Sequence, residues 1–154
     1  MEILINISLF YGIIILKGDK GIMNKVTIKM LKLYEPISNL DWMNYTLVKK
    51  DITYHHIQKH ENGGKRTIEN GALLMPVAHQ YLHLIECKDN DTYIAINKIF
   101  KYVNEQRYEP TREQREIVEY LLREFESVHR WDKGSKGKLL LQRKYLERDF
   151  IKRK

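Results

Sequence analysis

Histidine is the residue whose spacing suggests the most chemistry in this sequence. Five of the six histidines lie in one stretch, residues 54–83, YHHIQKHENGGKRTIENGALLMPVAHQYLH. Two are adjacent, His55 and His56, and two are four residues apart, His79 and His83. Imidazole binds divalent metals and transfers protons near neutral pH. We therefore expect this stretch to carry a metal ligand, a general base, or both.

The elements that position these histidines can be predicted from the same stretch. Residues 52–57, ITYHHI, are typical of a short strand, and residues 58–70 form a polar loop that turns at Asn62-Gly63-Gly64. Residues 71–75 are expected to form the return strand. Pro76 suits the first turn of a helix, which continues through VAHQYLHLIE. The predicted order is strand, loop, strand, helix.

This order places the histidines in two groups. Residues four apart on a helix share a face, so His79 and His83 are neighbours. Adjacent residues on a strand point to opposite faces. One of His55 and His56 can therefore face a metal together with His79, while the other faces a substrate held beside that metal. A metal and a separate base are what phosphodiester hydrolysis requires, since the metal stabilises charge on oxygen and the base activates water.

The stretch resembles the HNH motif, the ββα-metal finger of many bacterial and phage endonucleases. The family pattern is an acidic residue or His, then His-Ile, a Gly-Gly loop, an Asn before the second strand, and a metal-binding His nine residues later. About thirty residues of this chain match it in order, with these five elements: His55, His56-Ile57, Gly63-Gly64, Asn70 and His79. Five elements in register make the match fairly specific.

The resemblance implies a role for each matching residue. His55 and His79 stand at the metal-ligand positions, and His83 is a third ligand or supports the metal's surroundings. His56 stands at the position of the general base. Asn70 matches the asparagine that ties the loop to its neighbours and orients the base. Two loop cations, Lys65 and Arg66, are expected to contact phosphates.

The chain departs from the commonest family pattern in two places. His55 replaces an Asp found in many members, and imidazole tilts the site toward zinc, nickel or manganese over magnesium. Met75 and Ala78 stand where many members have bracing cysteines, so packing must hold the finger together. The remaining histidines, His60 and His129, are expected to be solvated.

The rest of the chain predicts an α+β fold, with a small ββα-metal finger packed against a mainly helical C-terminal half. Partial alternation in VTIKMLKLYEPI predicts a short strand that ends before Pro36. Apolar stripes predict one helix from Asp91 or Thr92 and another from Thr111, where Thr111 and Gln114 have the spacing of a capping box. We expect residues 23–130 to form the HNH-like domain.

Residues 1–22 are expected to be separate from that domain. The apolar run MEILINISLFYGIIIL is shorter than the roughly 20 residues that a membrane-spanning helix needs. It also lacks the basic start and the cleavage site of a secretory signal. We interpret residues 1–22 as a translated leader before a natural start at Met23. The alternatives are an added hydrophobic strand or a weak membrane anchor.

Residues 131–154 are expected to form a basic loop and helix. From residue 133 onward there are nine Lys and Arg against two acidic residues, a charge of +7 that equals the net charge of the whole chain. Such a segment attracts phosphate without reading sequence. The expected contacts with nucleic acid are Lys138, Arg143 and Lys144. The alternative is a solvated helix face.

The sequence therefore predicts a metal-dependent endonuclease that hydrolyses DNA, with His56 as base and one divalent ion, Mg²⁺, Mn²⁺, Ni²⁺ or Zn²⁺. The alternative is an inactive HNH-fold module that binds nucleic acid or a protein partner, or a protein whose histidines only pack against aromatic residues. DNA is the expected partner, and no membrane association is expected. The single cysteine, Cys87, fits a reducing, cytoplasmic setting.

Overall fold

The computed structural model describes residues 23–129, and these form an α+β fold with a mainly helical C-terminal half. The predicted fold class is confirmed. Within the described residues there are four α-helices and one antiparallel pair of strands: α1 Lys25–Tyr34, β1 Thr53–His56, β2 Gly71–Leu74, α2 Pro76–Lys88, α3 Asn90–Gln106 and α4 Arg112–His129. No helix in this part of the chain is long and apolar enough to cross a membrane. The predicted leader and the predicted basic helix lie outside the described residues.

The hairpin and α2 form the ββα unit expected from the histidine stretch. Strand β1 pairs with β2 in a register that sets His55 opposite Ala72 and His56 opposite Gly71. The loop between them contains a short 3₁₀ turn, His60–Asn62, which ends at Gly63 with φ of 84°. Glycine adopts this left-handed conformation without strain. Pro76 occupies the first turn of α2, as predicted.

The segment before the hairpin is helical, so the predicted strand before Pro36 is wrong. The side chain of Asn24 accepts a hydrogen bond from the Val26 N–H at 2.8 Å and caps the N-terminus of α1. The buried residues Thr27, Met30 and Tyr34 are three and four positions apart, which is the period of a helix. The apparent alternation in this segment concealed that longer period.

The two C-terminal helices contribute one side of the hydrophobic core. Their inward faces bury Ile96, Phe100 and Val103 from α3, and Val118, Leu122 and Phe125 from α4. The Trp42 ring packs between the rings of Tyr34 and Phe100. Its centroid is 5.1 Å from that of Tyr34 and 5.8 Å from that of Phe100. The capping box at α4 is confirmed, because Gln114 N–H donates to Thr111 Oγ1 at 3.2 Å and Gln114 Oε1 accepts from Thr111 N–H at 2.9 Å.

Two buried polar side chains brace the ββα unit in the absence of paired cysteines. Asp41 accepts hydrogen bonds from the backbone N–H groups of Met43, Tyr45 and Met75, at 2.8, 2.9 and 2.8 Å. It thereby ties the turn after α1 to the junction of β2 and α2. From α3, Asn104 donates to the carbonyls of Glu69 and Gly71 at 3.1 and 2.7 Å and accepts from the Tyr34 hydroxyl.

We expect Asp41→Ala to destabilise the fold by about 3 kcal/mol or more, because three N–H donors, two of them buried and one partly buried, would each lose an acceptor worth about 1 kcal/mol or more. Urea denaturation followed by circular dichroism measures the loss. Asp51→Ala, which changes an exposed aspartate, is the matched control. Equal losses in the two variants would contradict the bracing role of Asp41.

Candidate metal centre

Three histidines from β1 and α2 meet in one cluster. His55 lies on β1, and His79 and His83 lie one turn apart on α2. The ring centroids of His55 and His79 are 5.2 Å apart, those of His79 and His83 are 5.0 Å apart, and those of His55 and His83 are 6.0 Å apart. One ring nitrogen from each lies within 4.8 Å of the other two. The structure thus brings together the three residues that the sequence predicts as metal ligands.

The donor set of this cluster suits a divalent transition metal. Three imidazoles with positions left over for water or substrate resemble the ligand arrangement of open zinc sites. Zinc–nitrogen bonds of about 2.0–2.1 Å set tetrahedral ligands roughly 3.4 Å apart, and the three nitrogens already lie within 4.8 Å of one another. The residues present therefore fit the predicted metal.

Burial keeps two of these imidazoles neutral, which is the form that binds a metal. It lowers the pKa of His55 to about 4, although the hydrogen bond to Asn97 opposes the shift. It lowers the pKa of His79 to about 3, and the neighbouring His55 adds to that shift. At pH 7 each of these two rings therefore holds a lone pair that a metal can use.

His56 lies beside the cluster and is not part of it. Its position on β1 directs it to the face opposite His55, where its half-buried ring packs edge-on against Tyr54 with centroids 4.8 Å apart. Partial burial lowers its pKa, and the nearby charges of Arg66 and His60 lower it further. His56 also contributes to the lowered pKa of His55 and of His79, so it lies within electrostatic range of both.

Asn70 ties the loop to the end of β1. Its side-chain oxygen accepts from the Gln58 N–H at 2.7 Å, and its amide donates to the carbonyls of Gln58 and Lys65 at 2.9 Å each. Gly64 fits against this arrangement because a Cβ there would overlap the Gln58 carbonyl oxygen. Asn70 therefore fixes the backbone at Gln58, two residues after His56.

The predicted phosphate contacts divide into two sets. Lys65 and Arg66 are exposed on the loop, and the guanidinium of Arg66 lies over the Tyr54 ring, 4.9 Å from its centroid. Since Tyr54 also packs against His56, the structure brings Arg66 and His56 to one side of the hairpin. Lys138, Arg143 and Lys144 lie outside the described residues.

Three residues that contact the histidine cluster were not identified from the sequence. His55 Nε2 is 2.8 Å from Asn97 Oδ1, His79 Nδ1 is 3.0 Å from Thr53 Oγ1, and His83 Nδ1 is 3.2 Å from Glu86 Oε2. One signal for Asn97 was present, because it interrupts the buried apolar face of α3 between Tyr93 and Phe100. A polar residue on such a face needs a buried partner.

The metal-free protein is expected to lose stability as the pH falls from 7 to 5. The unfolded chain takes up protons at histidine near pH 6.5, whereas folded His55 and His79 do so only near pH 4 and 3. The contribution of these two histidines to the free energy of unfolding is therefore complete above pH 6.5. Below pH 6.5, and down to its own folded pKa, each histidine lowers the free energy of unfolding by about 1.4 kcal/mol per pH unit.

Urea denaturation in EDTA at a series of pH values measures this slope. His79→Gln should flatten it by about 1.4 kcal/mol per pH unit, and His60→Gln, which changes an exposed loop histidine, should leave it unchanged. The same slope in wild type and His79→Gln would contradict the assignment.

Comparison with known proteins gives no relative for this chain. It matches no family model, no curated protein and no solved structure. We therefore infer function from the residues of the site.

Proposed function

We propose that this protein is a metal-dependent, HNH-type endonuclease that hydrolyses DNA phosphodiester bonds. One observation carries the proposal. A cluster of three histidines, one buried and two partly buried, lies on one face of a ββα unit, and a half-buried fourth histidine lies on the other face of the same strand. Metal ligands and a separate base are the two functions that this hydrolysis needs.

The metal would be held by His55, His79 and His83. When bound, one divalent ion supplies positive charge that stabilises the phosphoryl and leaving oxygens. Mg²⁺, Mn²⁺, Ni²⁺ and Zn²⁺ are the candidates. Three imidazoles favour the softer ions among them over Mg²⁺, which prefers oxygen ligands.

His56 would act as the general base. A base must be unprotonated at the working pH, and partial burial together with the charge of Arg66 lowers the pKa of His56. Asn70 would hold the backbone after His56 in place through its two hydrogen bonds to Gln58, while a third bond ties it to the Lys65 carbonyl. We class Asn70 as a positioning residue for this reason.

Loop cations would hold the DNA backbone next to the base. Arg66 is exposed, and its contact with Tyr54 sets the guanidinium near His56. Arg is suited to phosphate because its fork of N–H groups matches two oxygens. Lys65 precedes it on the exposed loop. The basic segment from residue 133 would add attraction that weakens with salt.

The cytoplasm is the compartment that we propose for this activity. Cys87 is free and exposed, and an exposed thiol remains reduced in the cytosol.

Wild-type protein should nick supercoiled plasmid in the presence of Mn²⁺, Ni²⁺, Zn²⁺ or Mg²⁺, and EDTA should abolish the nicking. His56→Ala should lower the rate by about 10²–10⁴-fold, because a general base is lost. Agarose gel electrophoresis separates supercoiled, nicked and linear plasmid.

The matched control is His60→Ala, which removes an exposed histidine whose ring centroid is 6.4 Å from that of His56. It should retain nicking. Equal rates in wild type and His56→Ala would refute His56 as the base. Wild type that binds metal and DNA without cutting would support the non-enzymatic alternative instead.

Metal binding can be tested separately from cutting. His79→Ala should weaken Zn²⁺ or Ni²⁺ binding by at least about 100-fold, since one of three ligands is removed. Isothermal titration calorimetry on metal-free protein gives the affinities. His60→Ala should match wild type, and unchanged binding by His79→Ala would remove His79 from the metal site.

A further inference from the structure

Each histidine of the cluster uses one ring nitrogen in a hydrogen bond to a different neighbour. The three neighbours come from different elements, and they are Asn97 on α3, Thr53 on β1 and Glu86 on α2. A neutral imidazole has one N–H and one lone pair, so the chemistry of each neighbour determines which nitrogen carries the proton.

Asn97 fixes the proton of His55 on Nε2. Its amide nitrogen donates to the Tyr93 carbonyl at 3.0 Å, which orients the side chain so that Oδ1 faces His55. An amide oxygen only accepts, so His55 Nε2–H donates to it at 2.8 Å. The lone pair of His55 is therefore on Nδ1.

Thr53 fixes the proton of His79 on Nδ1. The Thr53 hydroxyl has a single hydrogen and donates it to the Leu74 carbonyl at 2.6 Å. Its oxygen must then accept from His79 Nδ1–H, 3.0 Å away. The lone pair of His79 is therefore on Nε2.

Glu86 fixes the proton of His83 on Nδ1. The Glu86 carboxylate forms an ion pair with the ammonium of Lys59, from the loop, and a carboxylate paired with a cation is ionised. The ionised carboxylate only accepts, so His83 Nδ1–H donates to it at 3.2 Å.

We propose that Asn97, Thr53 and Glu86 are positioning residues that select the ligand nitrogens, namely Nδ1 of His55 and Nε2 of both His79 and His83. This inference rests on the proposed metal-dependent function and deepens it. Asn97 is the most informative of the three because it lies on α3, outside the ββα unit. The helical half of the protein then takes part in metal binding as well as supporting the hairpin.

The loss of this acceptor has a defined physical effect. Without Asn97 Oδ1, the buried His55 N–H has no partner at its present position, and the ring gains from rotating or from moving its proton to the other nitrogen. Either change takes the lone pair away from the site. Removal of such a partner typically lowers metal affinity by about 10–100-fold.

The test compares two variants at one position. Asn97→Leu is similar in size and has no acceptor, and Asn97→Asp keeps an acceptor oxygen. Both remove the bond to the Tyr93 carbonyl, which retains its helical backbone partner. We expect Asn97→Leu to bind Zn²⁺ about 10–100-fold more weakly than wild type, and Asn97→Asp to bind at least as tightly as wild type.

Two further measurements make the result independent of nuclease activity. Circular dichroism and thermal denaturation in EDTA establish that each variant is folded before titration. Long-range ¹H–¹⁵N NMR of metal-free wild type reads the tautomers directly and should show His55 protonated on Nε2 and His79 and His83 on Nδ1. This second measurement decides the assignment even where Asn97→Leu fails to fold.

The outcomes separate this inference from the nuclease proposal. Equal Zn²⁺ affinity in folded Asn97→Leu and wild type would overturn it, and so would a proton on Nδ1 of His55. Wild type that shows the expected tautomers and the expected loss in Asn97→Leu, yet cuts no plasmid, would support this inference while refuting the nuclease.

Discussion

Only 2% of the His55 surface is exposed, and a neutral imidazole at that depth needs an acceptor for its N–H. No residue of the paired strands supplies it among the described hydrogen bonds; Asn97 of α3 does. The hairpin and α3 must therefore be packed together before His55 can take its place in the cluster. This requirement links the local ββα unit to the helices that follow it.

Other buried polar contacts also hold the ββα unit against the helices that surround it. Asp41 is fully buried, and burial raises its pKa to about 6, although its three backbone hydrogen bonds oppose the rise. Because this pKa is below 7, the side chain is a carboxylate at neutral pH. Arg115 of α4 donates to the Asp41 carbonyl at 2.8 Å and pairs with Glu109. Asn104 makes the corresponding link from α3 to the start of β2. Together these buried polar groups brace the ββα unit against the helices.

The local elements of the site could be predicted from the sequence because their signals are local. A turn at Gly63, a proline at the first position of α2 and the four-residue spacing of His79 and His83 are each contained in a few residues. The region around Met30 was misassigned because its short alternation resembled a strand, whereas Asn24 and a buried face of helical period favoured a helix. Burial of the helical face therefore decided the structure of this segment, and the short alternation of apolar and polar residues did not.

The long-range partners could not be predicted in this way. Asn97 is 42 residues from His55 along the chain, and its role depends on how α3 packs against β1. The two buried asparagines of α3, Asn97 and Asn104, stand seven positions apart on an apolar face. That interruption indicates buried hydrogen bonds, although only the fold identifies their acceptors and donors. The sequence thus predicted which histidines form the cluster, but it did not predict the residues that hydrogen-bond to them.

The antiparallel pairing of β1 and β2 also determines which of the two adjacent histidines joins the cluster. Side chains alternate along a strand, so a shift of one residue in the pairing would exchange His55 and His56 between the two faces. Such a shift would put His56 in the cluster and His55 outside it. Gly71 opposes this, because the Tyr54 ring lies where its Cβ would be, and only glycine permits that close approach. A glycine, which has no side chain, thereby decides which of two adjacent and chemically identical residues lies in the cluster.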